Sequence, residues 1–569
     1  MRSWFRPKYI LIAILAAAFA LRLWGIGNTD MLGDEAADAF RSVGYIDYLG
    51  TSAQTQPIDW YKDSPTLPAW TALSFHDDPP LGFMVQHAFF TFFGDSSTTA
   101  RLPGIFLGTL AVWLLYEITK IILDAGGVND LLNSRLRVNG QGSMVKSSPE
   151  VIALLAAGLY AIEPATVGIF RSALLEPILL FFILLNVWCF LKFVEDRRWW
   201  WLFGLTLGAV ALTKYTGVFL VPLYALYLFL SDRNLFRNWR LYAALLLTVV
   251  LFLPVIVYNV QMLQARGHFD LQFAYLLHQA TPEWTGLIGK TQAPFSAIIP
   301  NLITSYGIPF LAVVFAGLVI AGIWYWKYRR QGMLFVLGYV LFLGLLLVKI
   351  GSASRFLAML GPAFAILAAI ALWSLAALPR ASRIGRYALI FAVALFMAYE
   401  AGVAIDRNIL SYPSYGVAGL DNYFSQQFNG IESAVIPEAD NVHLTAITKE
   451  FAAKKSPTAP RKLVMIVYND QIALPTLEWV FYRRFFYHSI PTMYVQNFES
   501  ALKVDPTQFN GFTVYFVQTT PHTLLDPFRA NDTAGDSFEQ QVIANGVQPD
   551  TVITGTGGQE MFRVYKFTL

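Results

Sequence analysis

The sequence is short of charge. Only 14% of its 569 residues are Asp, Glu, Lys or Arg, whereas 56% are hydrophobic; soluble domains carry roughly a quarter charged residues. The net charge of +3 is too small to indicate a nucleic-acid partner. A single cysteine, Cys189, excludes an intramolecular disulfide. These scarcities indicate a chain whose main partner is the lipid bilayer.

Long apolar runs supply the hydrophobic share. The first follows Arg2, Arg6 and Lys8 and has no small-residue cleavage site, so we expect a retained helix and not a removed signal peptide. Runs near spanning length predict eleven transmembrane helices, of which the fifth and sixth are short: 9–26, 102–123, 151–169, 176–193, 199–213, 216–230, 241–260, 302–326, 332–349, 357–378 and 387–404.

The positions of Lys and Arg in the connections predict the orientation of these helices in the membrane. With the N-terminus inside, every inner connection is basic, as at Arg197 and Arg198, and the outer connections carry only isolated cations. An odd number of spans places everything after residue 404 outside. The chain is therefore predicted to be a multi-pass inner- or plasma-membrane protein with a cytoplasmic N-terminus.

The last part of the chain changes character. Apolar runs shorten, "KLVMIVYND", "FTVYFVQTT" and "MFRVYKFTL" are typical of strands, and "LPTLEWVFYRRFFYHS" is typical of a helix. We therefore expect a polytopic α-helical domain over 1–404, with long outer loops at 27–101 and 261–301, and an extracytoplasmic α/β domain over 405–569.

The first outer loop begins with three carboxylates in "MLGDEAADAF". On a helix that begins near Leu32, Asp34, Asp38 and Arg41 share one face, and Glu35 points about 100° away. A carboxylate beside apolar walls is partly desolvated, which suits a general base. A single acid there would fit a helix cap; three together favour a functional site.

A second acidic cluster, His76, Asp77 and Asp78, precedes two prolines that hold it in an extended presentation. His76 and Asp77 are weak candidates for a divalent metal, because adjacent ligands from one segment make a poor cage. Orientation of a substrate hydroxyl and a structural turn are the alternatives. No metal or other cofactor is required by the pattern.

Isolated cations stand at outer helix ends, at Arg101, Arg171, Lys214 and Arg355. Each alone would fit a side chain reaching the head groups or an ion pair. Four on the face that carries the acids favour an anion site suited to the phosphate of a lipid. In the second outer loop, His268 and Asp270 are candidates for an acceptor site or for hydrogen-bonded loop positions.

The motifs, in their order, resemble the GT-C glycosyltransferases, specifically the family 39 protein O-mannosyltransferases and the related bacterial aminoarabinose transferases. The matching pieces are "GDEA", "HDDPPL", "GDSSTTARLPGIFLGTL", "RSALLEP", "GLTLGAVALTKYTGVFLVP" and "SRFLAMLGPAFAILAA". They extend from residue 1 to about residue 400.

The resemblance implies transfer of a sugar from a polyprenyl-phosphate donor to a hydroxyl of a protein, lipid or glycan on the outer face. It makes Asp34 the base and Glu35 its companion, and it places Asp77 and Asp78 near the donor phosphate. The aminoarabinose transferases have a lysine where Asp78 stands, so Lys214, Arg355 or Arg101, or a bound metal, would have to contact the phosphate here.

Two other functions fit a polytopic chain. A transporter should show inverted repeats and ionisable residues near the centres of its spans, whereas the charges here cluster at helix ends. A non-catalytic scaffold that presents residues 405–569 would not need the acids. We therefore predict a glycosyltransferase.

Overall fold

The computed structural model describes residues 7–47, 73–124, 148–282, 295–328, 331–376, 383–439, 442–455, 459–520, 524–527 and 529–569. Parts of both predicted outer loops, 48–72 and 283–294, lie outside these ranges. Two compact units are present. We call residues 1–24, 61–82 and 101–411 the membrane unit, and residues 25–60, 83–100 and 412–569 the sheet unit.

The two units differ from the predicted division at residue 404. The prediction assigned residues 27–101 to the transmembrane domain as an outer loop. By their contacts, the described residues within 25–60 and residues 83–100 instead cluster with the C-terminal part of the chain. Asp30 is one reason, since its buried carboxylate accepts hydrogen bonds from the backbone N–H groups of Tyr415 and Ala418.

The first half of the chain is helical. In order, the helices are α1 (Pro7–Leu23), α2 (Asp34–Gly44), α3 (Leu81–Phe93), α4 (Ser97–Asp124), α5 (Ser148–Ile162), α6 (Pro164–Phe170), α7 (Leu175–Glu195), α8 (Trp200–Thr213), α9 (Leu220–Ser231), α10 (Trp239–Arg266) and α11 (Leu271–Leu276). A 3₁₀ turn, Tyr215–Phe219, precedes α9.

The second half completes the membrane unit and then forms the sheet unit. The membrane unit ends with α12 (Ile298–Tyr306), α13 (Ile308–Tyr328), α14 (Gln331–Ile350), α15 (Ser354–Leu357), α16 (Gly361–Ala376), α17 (Arg383–Ile405) and a π-helical turn, Asp406–Leu410. The sheet unit has α18 (Val417–Gln427), α19 (Val442–Ala453), α20 (Leu474–Thr476), a π-helical turn Leu477–Tyr482, α21 (Arg483–His488), α22 (Val495–Val504) and α23 (Ala534–Ala544).

All eleven apolar runs contain helix, but fewer are long enough to cross a bilayer. Eight described helices pass by length and composition, and the bent pair α5 and α6 would make a ninth. The runs at 199–213 and 216–230 contain only α8 and α9, of 14 and 12 residues. The run at 302–326 is divided into α12 and α13 at Gly307, which has a φ of 76°.

The break between α5 and α6 bends the chain by 61°. Pro164 occupies the first turn of α6, where its missing N–H costs nothing. The Glu163 carboxylate accepts hydrogen bonds from the N–H groups of Ala165 and Thr166, at 2.7 and 2.8 Å. A buried acid therefore caps α6 within an otherwise apolar bundle.

Small residues let neighbouring helices approach closely. Gly204 of α8 faces the backbone of α10, and a Cβ there would lie 2.5 Å from the carbonyl oxygen of Ala244. Close backbone contact through glycine is a common way to pack helices that have no hydrophobic drive to associate in lipid.

The predicted strands are confirmed, and the sheet contains more. The strands are β1 (Glu432–Ser433), β2 (Arg461–Lys462), β3 (Val464–Tyr468), β4 (Thr492–Tyr494), β5 (Thr513–Thr519), β6 (Pro549–Thr554) and β7 (Glu560–Thr568). The five-stranded sheet has the order β4-β3-β5-β7-β6. β3 pairs in parallel with β4 and β5, and β7 pairs antiparallel with β5 and β6. The continuous apolar run of β3 is buried, as a central parallel strand requires.

Candidate active site

The acidic cluster of the sheet unit begins at the first turn of α2. The helix begins at Asp34, two residues later than predicted, after Gly33 with a φ of 54°. Asp34 and Glu35 both occupy the first turn, where the helix dipole favours negative charge. Asp34 is exposed, whereas Glu35 and Asp38 are buried. Of the three acids, the predicted base is therefore the one that an acceptor in solvent can reach.

Arg41 has a partner that the sequence did not indicate. Its Nη2 lies 3.5 Å from Oδ1 of Asp47, and both side chains are buried. The ion pair joins the last turn of α2 to the segment that follows the helix.

Glu478 is a fourth acid beside α2. It lies in the π-helical turn Leu477–Tyr482, which packs on α2. Burial raises the pKa of Glu478 to about 8, Arg41 acts against this, and the Asp34 carboxylate adds to it. At neutral pH Glu478 is therefore largely protonated, and it can hold a proton next to Asp34. The sequence pattern predicted a helix over "LPTLEWVFYRRFFYHS" without marking this acid.

The cation cluster of the membrane unit is built around Glu176. This carboxylate lies in the first turn of α7 and is fully buried. Lys214, which directly follows α8, places Nζ 3.0 Å from Oε1 of Glu176, and Nε of Arg355 lies 3.8 Å from the same oxygen. Two cations thus converge on one buried carboxylate, and Lys and Arg side chains are the groups that bind phosphates in proteins.

The cation cluster brings two predicted residues together and adds one that was missed. Lys214 and Arg355 lie about 140 residues apart in sequence, and both also contact the ring of Phe356. Glu176 was part of "RSALLEP" but was not singled out. The available signal was an acid in the first turn of an apolar span, where an isolated carboxylate would be costly without a cation.

The second outer-loop cluster surrounds Asp270, which caps α11. Its carboxylate accepts hydrogen bonds from the Tyr215 hydroxyl at 2.6 Å, the Asn259 amide at 3.0 Å and the Phe273 N–H at 3.0 Å. Burial raises the pKa of Asp270, these hydrogen bonds oppose the shift, and the charge of Asp77 adds to it. Asp270 therefore lies within electrostatic reach of Asp77.

The His76–Asp78 segment joins the Asp270 cluster. The carbonyl oxygen of His76 accepts a hydrogen bond from the N–H of Leu271 at 2.7 Å. Asp78 acts electrostatically on Tyr215, the neighbour of Lys214 in the chain. Gly82, just beyond the prolines, faces Leu175 and Thr213, the residues that precede Glu176 and Lys214. The predicted donor region and the cation cluster thus share one end of the membrane unit.

The other predicted residues have local roles. Nη1 of Arg171 donates to the carbonyl oxygens of Leu21, Arg22 and Trp24, at 2.7 to 3.2 Å, and so caps the end of α1. Arg101 is buried in α4. Nδ1 of His268 lies 2.7 Å from the carbonyl oxygen of Phe269. Their predicted contacts with substrate stay predictions.

The weak metal candidates do not form a ligand set. Nε2 of His76 lies 3.5 Å from Oδ2 of Asp77. Across the described ranges, no group of three or more His, Cys, Asp or Glu side chains is arranged to hold a metal ion. Two neighbouring groups on one segment supply too few ligands for a divalent site.

Residues 144–271 match the family model for dolichyl-phosphate-mannose-protein mannosyltransferase. A mannosyltransferase 3 of that name from Saccharomyces cerevisiae is 34% identical over 122 residues, which is 19% of this chain and 16% of the yeast protein. The matched segment thus spans about a sixth of that relative's length.

Two solved structures cover nearly the whole chain. The oligosaccharyltransferase of Archaeoglobus fulgidus, tethered with an acceptor peptide, superposes with a TM-score of 0.52 and 13% identity, over 99% of this chain and 74% of that one. ArnT of Cupriavidus metallidurans, bound to undecaprenyl phosphate, gives a TM-score of 0.51 and 14% identity, over 97% of each chain.

The chain has the GT-C fold. The resemblance deduced from the motifs is therefore confirmed, as is the multi-pass membrane architecture of this GT-C protein. The segment that matches the mannosyltransferase model contains Glu176, Lys214 and Asp270 of the membrane unit.

Proposed function

We propose that this GT-C protein is a membrane glycosyltransferase that moves a sugar from a polyprenyl-phosphate donor to a hydroxyl of a protein, lipid or glycan. One observation carries the proposal: Lys214 and Arg355 converge on the buried Glu176, and the mannosyltransferase match includes two of the three. The named relatives include a mannosyltransferase of proteins and an enzyme bound to undecaprenyl phosphate.

In the proposed reaction Asp34 accepts the proton of the acceptor hydroxyl, and Glu35 supports it. The hydroxyl oxygen attacks the anomeric carbon, and the bond from that carbon to the phosphate oxygen breaks, with its electron pair left on the phosphate. Lys214 and Arg355 stabilise the polyprenyl phosphate that leaves, and Arg101 is a further candidate. Asp77 and Asp78 lie near the donor.

The reaction takes place on the outer face in this proposal. The N-terminus is cytoplasmic, and the sheet unit is extracytoplasmic, because the inner connections are basic and the outer ones are not. A monophosphate leaving group can be stabilised by fixed cations, so a divalent metal is not required by the mechanism.

Transfer by the purified protein tests the proposal. A panel of polyprenyl-phosphate sugars is incubated with the full chain in detergent, with and without chelator, and release of polyprenyl phosphate is measured. We expect release from one donor, and loss of binding of that donor in Lys214→Met. A folded protein that neither binds nor cleaves any donor would contradict the proposal and favour a transporter or scaffold.

A further inference from the structure

A cavity of the membrane unit lies away from the clusters described above. It has a volume of about 90 Å³ and lies among three helix ends: the start of α6 at Pro164, the start of α13 at Gly307 and Pro309, and the end of α17. Its charged lining residues are Glu400 and Arg407. Such a volume is several times the ~10–15 Å³ that one water molecule needs, so it admits a small polar group.

Glu400 is the residue that indicates a ligand in this cavity. Its side chain is 2% exposed, and among the described residues its Oε1 has no hydrogen-bond partner. The carboxylate lines the cavity, and α17 is one of the spans. A buried carboxylate oxygen at membrane depth is costly unless a donor, preferably a cation, reaches it.

The neighbouring acid, Glu163, already has hydrogen-bond donors for both of its carboxylate oxygens. Glu163 caps α6 with both of its oxygens, and it acts electrostatically on Glu400 and on Arg407. A second carboxylate so close makes an unpaired Glu400 still less favourable. The cavity therefore has a place for one ammonium group beside Glu400.

The other side of the cavity suits an anion. Arg407 is exposed, and through Nη1 it donates hydrogen bonds to the carbonyl oxygens of Thr304 and Ser305, at 2.6 and 3.1 Å. The 21-residue helix α13 begins at the cavity, and the wall includes Gly307, which precedes the helix, and Pro309 of its first turn. An arginine and a helix N-terminus together favour a phosphate.

The surrounding surface is apolar. Among the described spans, those that contain α1, α10, α13 and α17 have the smallest buried share. This share is 22% for the span with α13 and 11% for the span with α17. Ile308, Phe315 and Leu395 are 66%, 69% and 60% exposed. Phe310 and Phe396 stack at 6.5 Å, so α13 and α17 are in contact. Acyl chains would cover the exposed side chains on these two helices.

We propose that this cavity binds the head group of a phospholipid with a primary amine. The ammonium contacts Glu400, the phosphate contacts Arg407 and the start of α13, and the acyl chains lie along α13 and α17. The inference does not depend on sugar transfer.

Lipid binding by the wild-type protein tests the proposal without any variant. The full chain in detergent is offered lipids with identical acyl chains and head groups of ethanolamine, its mono- and dimethyl forms, and choline, and retained lipid is counted by native mass spectrometry. Each methyl group removes one N–H donor, so retention should fall stepwise, by about tenfold or more from ethanolamine to choline. Equal retention of all four would overturn the proposal.

Two variants test whether the ammonium group contacts Glu400. Glu400→Gln should abolish the preference for ethanolamine. The control is Glu195→Gln, which alters the last residue of α7, a carboxylate that is paired with Lys192. This variant should keep the preference. A Glu400→Gln protein that keeps the preference would overturn the role of Glu400. Water-soluble glycerophosphoethanolamine should not compete; if it competes at the same concentration as the lipid, the site binds a free solute and the lipid assignment is wrong.

Discussion

At the scale of single residues, the candidate site depends on carboxylates with different surroundings. Asp34 is exposed at the first turn of α2, whereas Glu478 is buried beside it and Glu176 is buried between two cations. The same chemical group therefore has different surroundings at the three positions. Glu478 favours its neutral form, and Glu176 is surrounded by positive charge.

Glu478 should make stability depend on pH. Its pKa in the fold, about 8, lies above its ordinary value of 4.5, so the folded protein binds more protons than the unfolded chain between these values. The stabilisation is complete below about pH 4.5 and is lost as the pH rises through about 8. We expect the thermal midpoint of the wild-type protein to fall from pH 5 to pH 9, and that of Glu478→Gln to fall less. Parallel curves for the two proteins would contradict this assignment.

The Glu176 cluster should show strong coupling. Lys214→Met leaves the buried carboxylate of Glu176 with the more distant Arg355 as its one cation among the described residues, and breaking a buried pair costs roughly 3–5 kcal/mol. Glu176→Gln in the same protein removes the uncompensated charge. We therefore expect the double variant to be more stable to heat than Lys214→Met alone. Additive losses would show that the pair is not coupled.

At the scale of elements, the sequence predicted helices better than their breaks. Apolar runs marked every span, because length and hydropathy suffice for that. The bend at Glu163 and the division at Gly307 depend on a cap and on a backbone with positive φ, which hydropathy does not record. In the sheet unit, β3, β5 and β7 were predicted from their apolar residues. β6 was missed because its burial alternates between exposed and half-buried.

Close packing of α8 on α10 should be sensitive to one methyl group. In Gly204→Ala the new Cβ meets the backbone of Ala244, so the helices must separate and the thermal midpoint in detergent should fall. Gly322→Ala in α13 is the matched control, since nothing lies within 4 Å of its Cβ position. It should be neutral or slightly stabilising, by up to about 1 kcal/mol. Equal effects at both sites would exclude the packing explanation.

At the scale of the whole molecule, the fold was predictable and the site only partly so. The motifs predicted the fold. They also placed Lys214 and Arg355 among the candidates for the phosphate contact, and Asp77 and Asp270 separately in the donor and acceptor regions. The orientation derived from the charge pattern stays a prediction. Glu176, Tyr215 and Glu478 were not predicted, because each acts through a contact with a residue distant in sequence. A polar residue at a helix end is visible in a sequence, but its partner across the fold is not.

The orientation can be measured with single cysteines. Cys189 is buried and should give little background. Intact cells carrying Glu438→Cys, an exposed position of the sheet unit, should react with a membrane-impermeant maleimide, and cells carrying Glu195→Cys should react only after lysis. The reverse labelling would contradict the proposed orientation and the extracytoplasmic site.

The rate of polyprenyl-phosphate release in Asp34→Asn tests the central claim most directly. General-base catalysis contributes about 10²–10⁴ in rate, so release from the preferred donor in the presence of acceptor should fall by that factor while donor binding is retained. Asp232→Asn, which alters a carboxylate paired with Arg197, should keep the wild-type rate. An Asp34→Asn protein that releases polyprenyl phosphate as fast as the wild type would contradict the account.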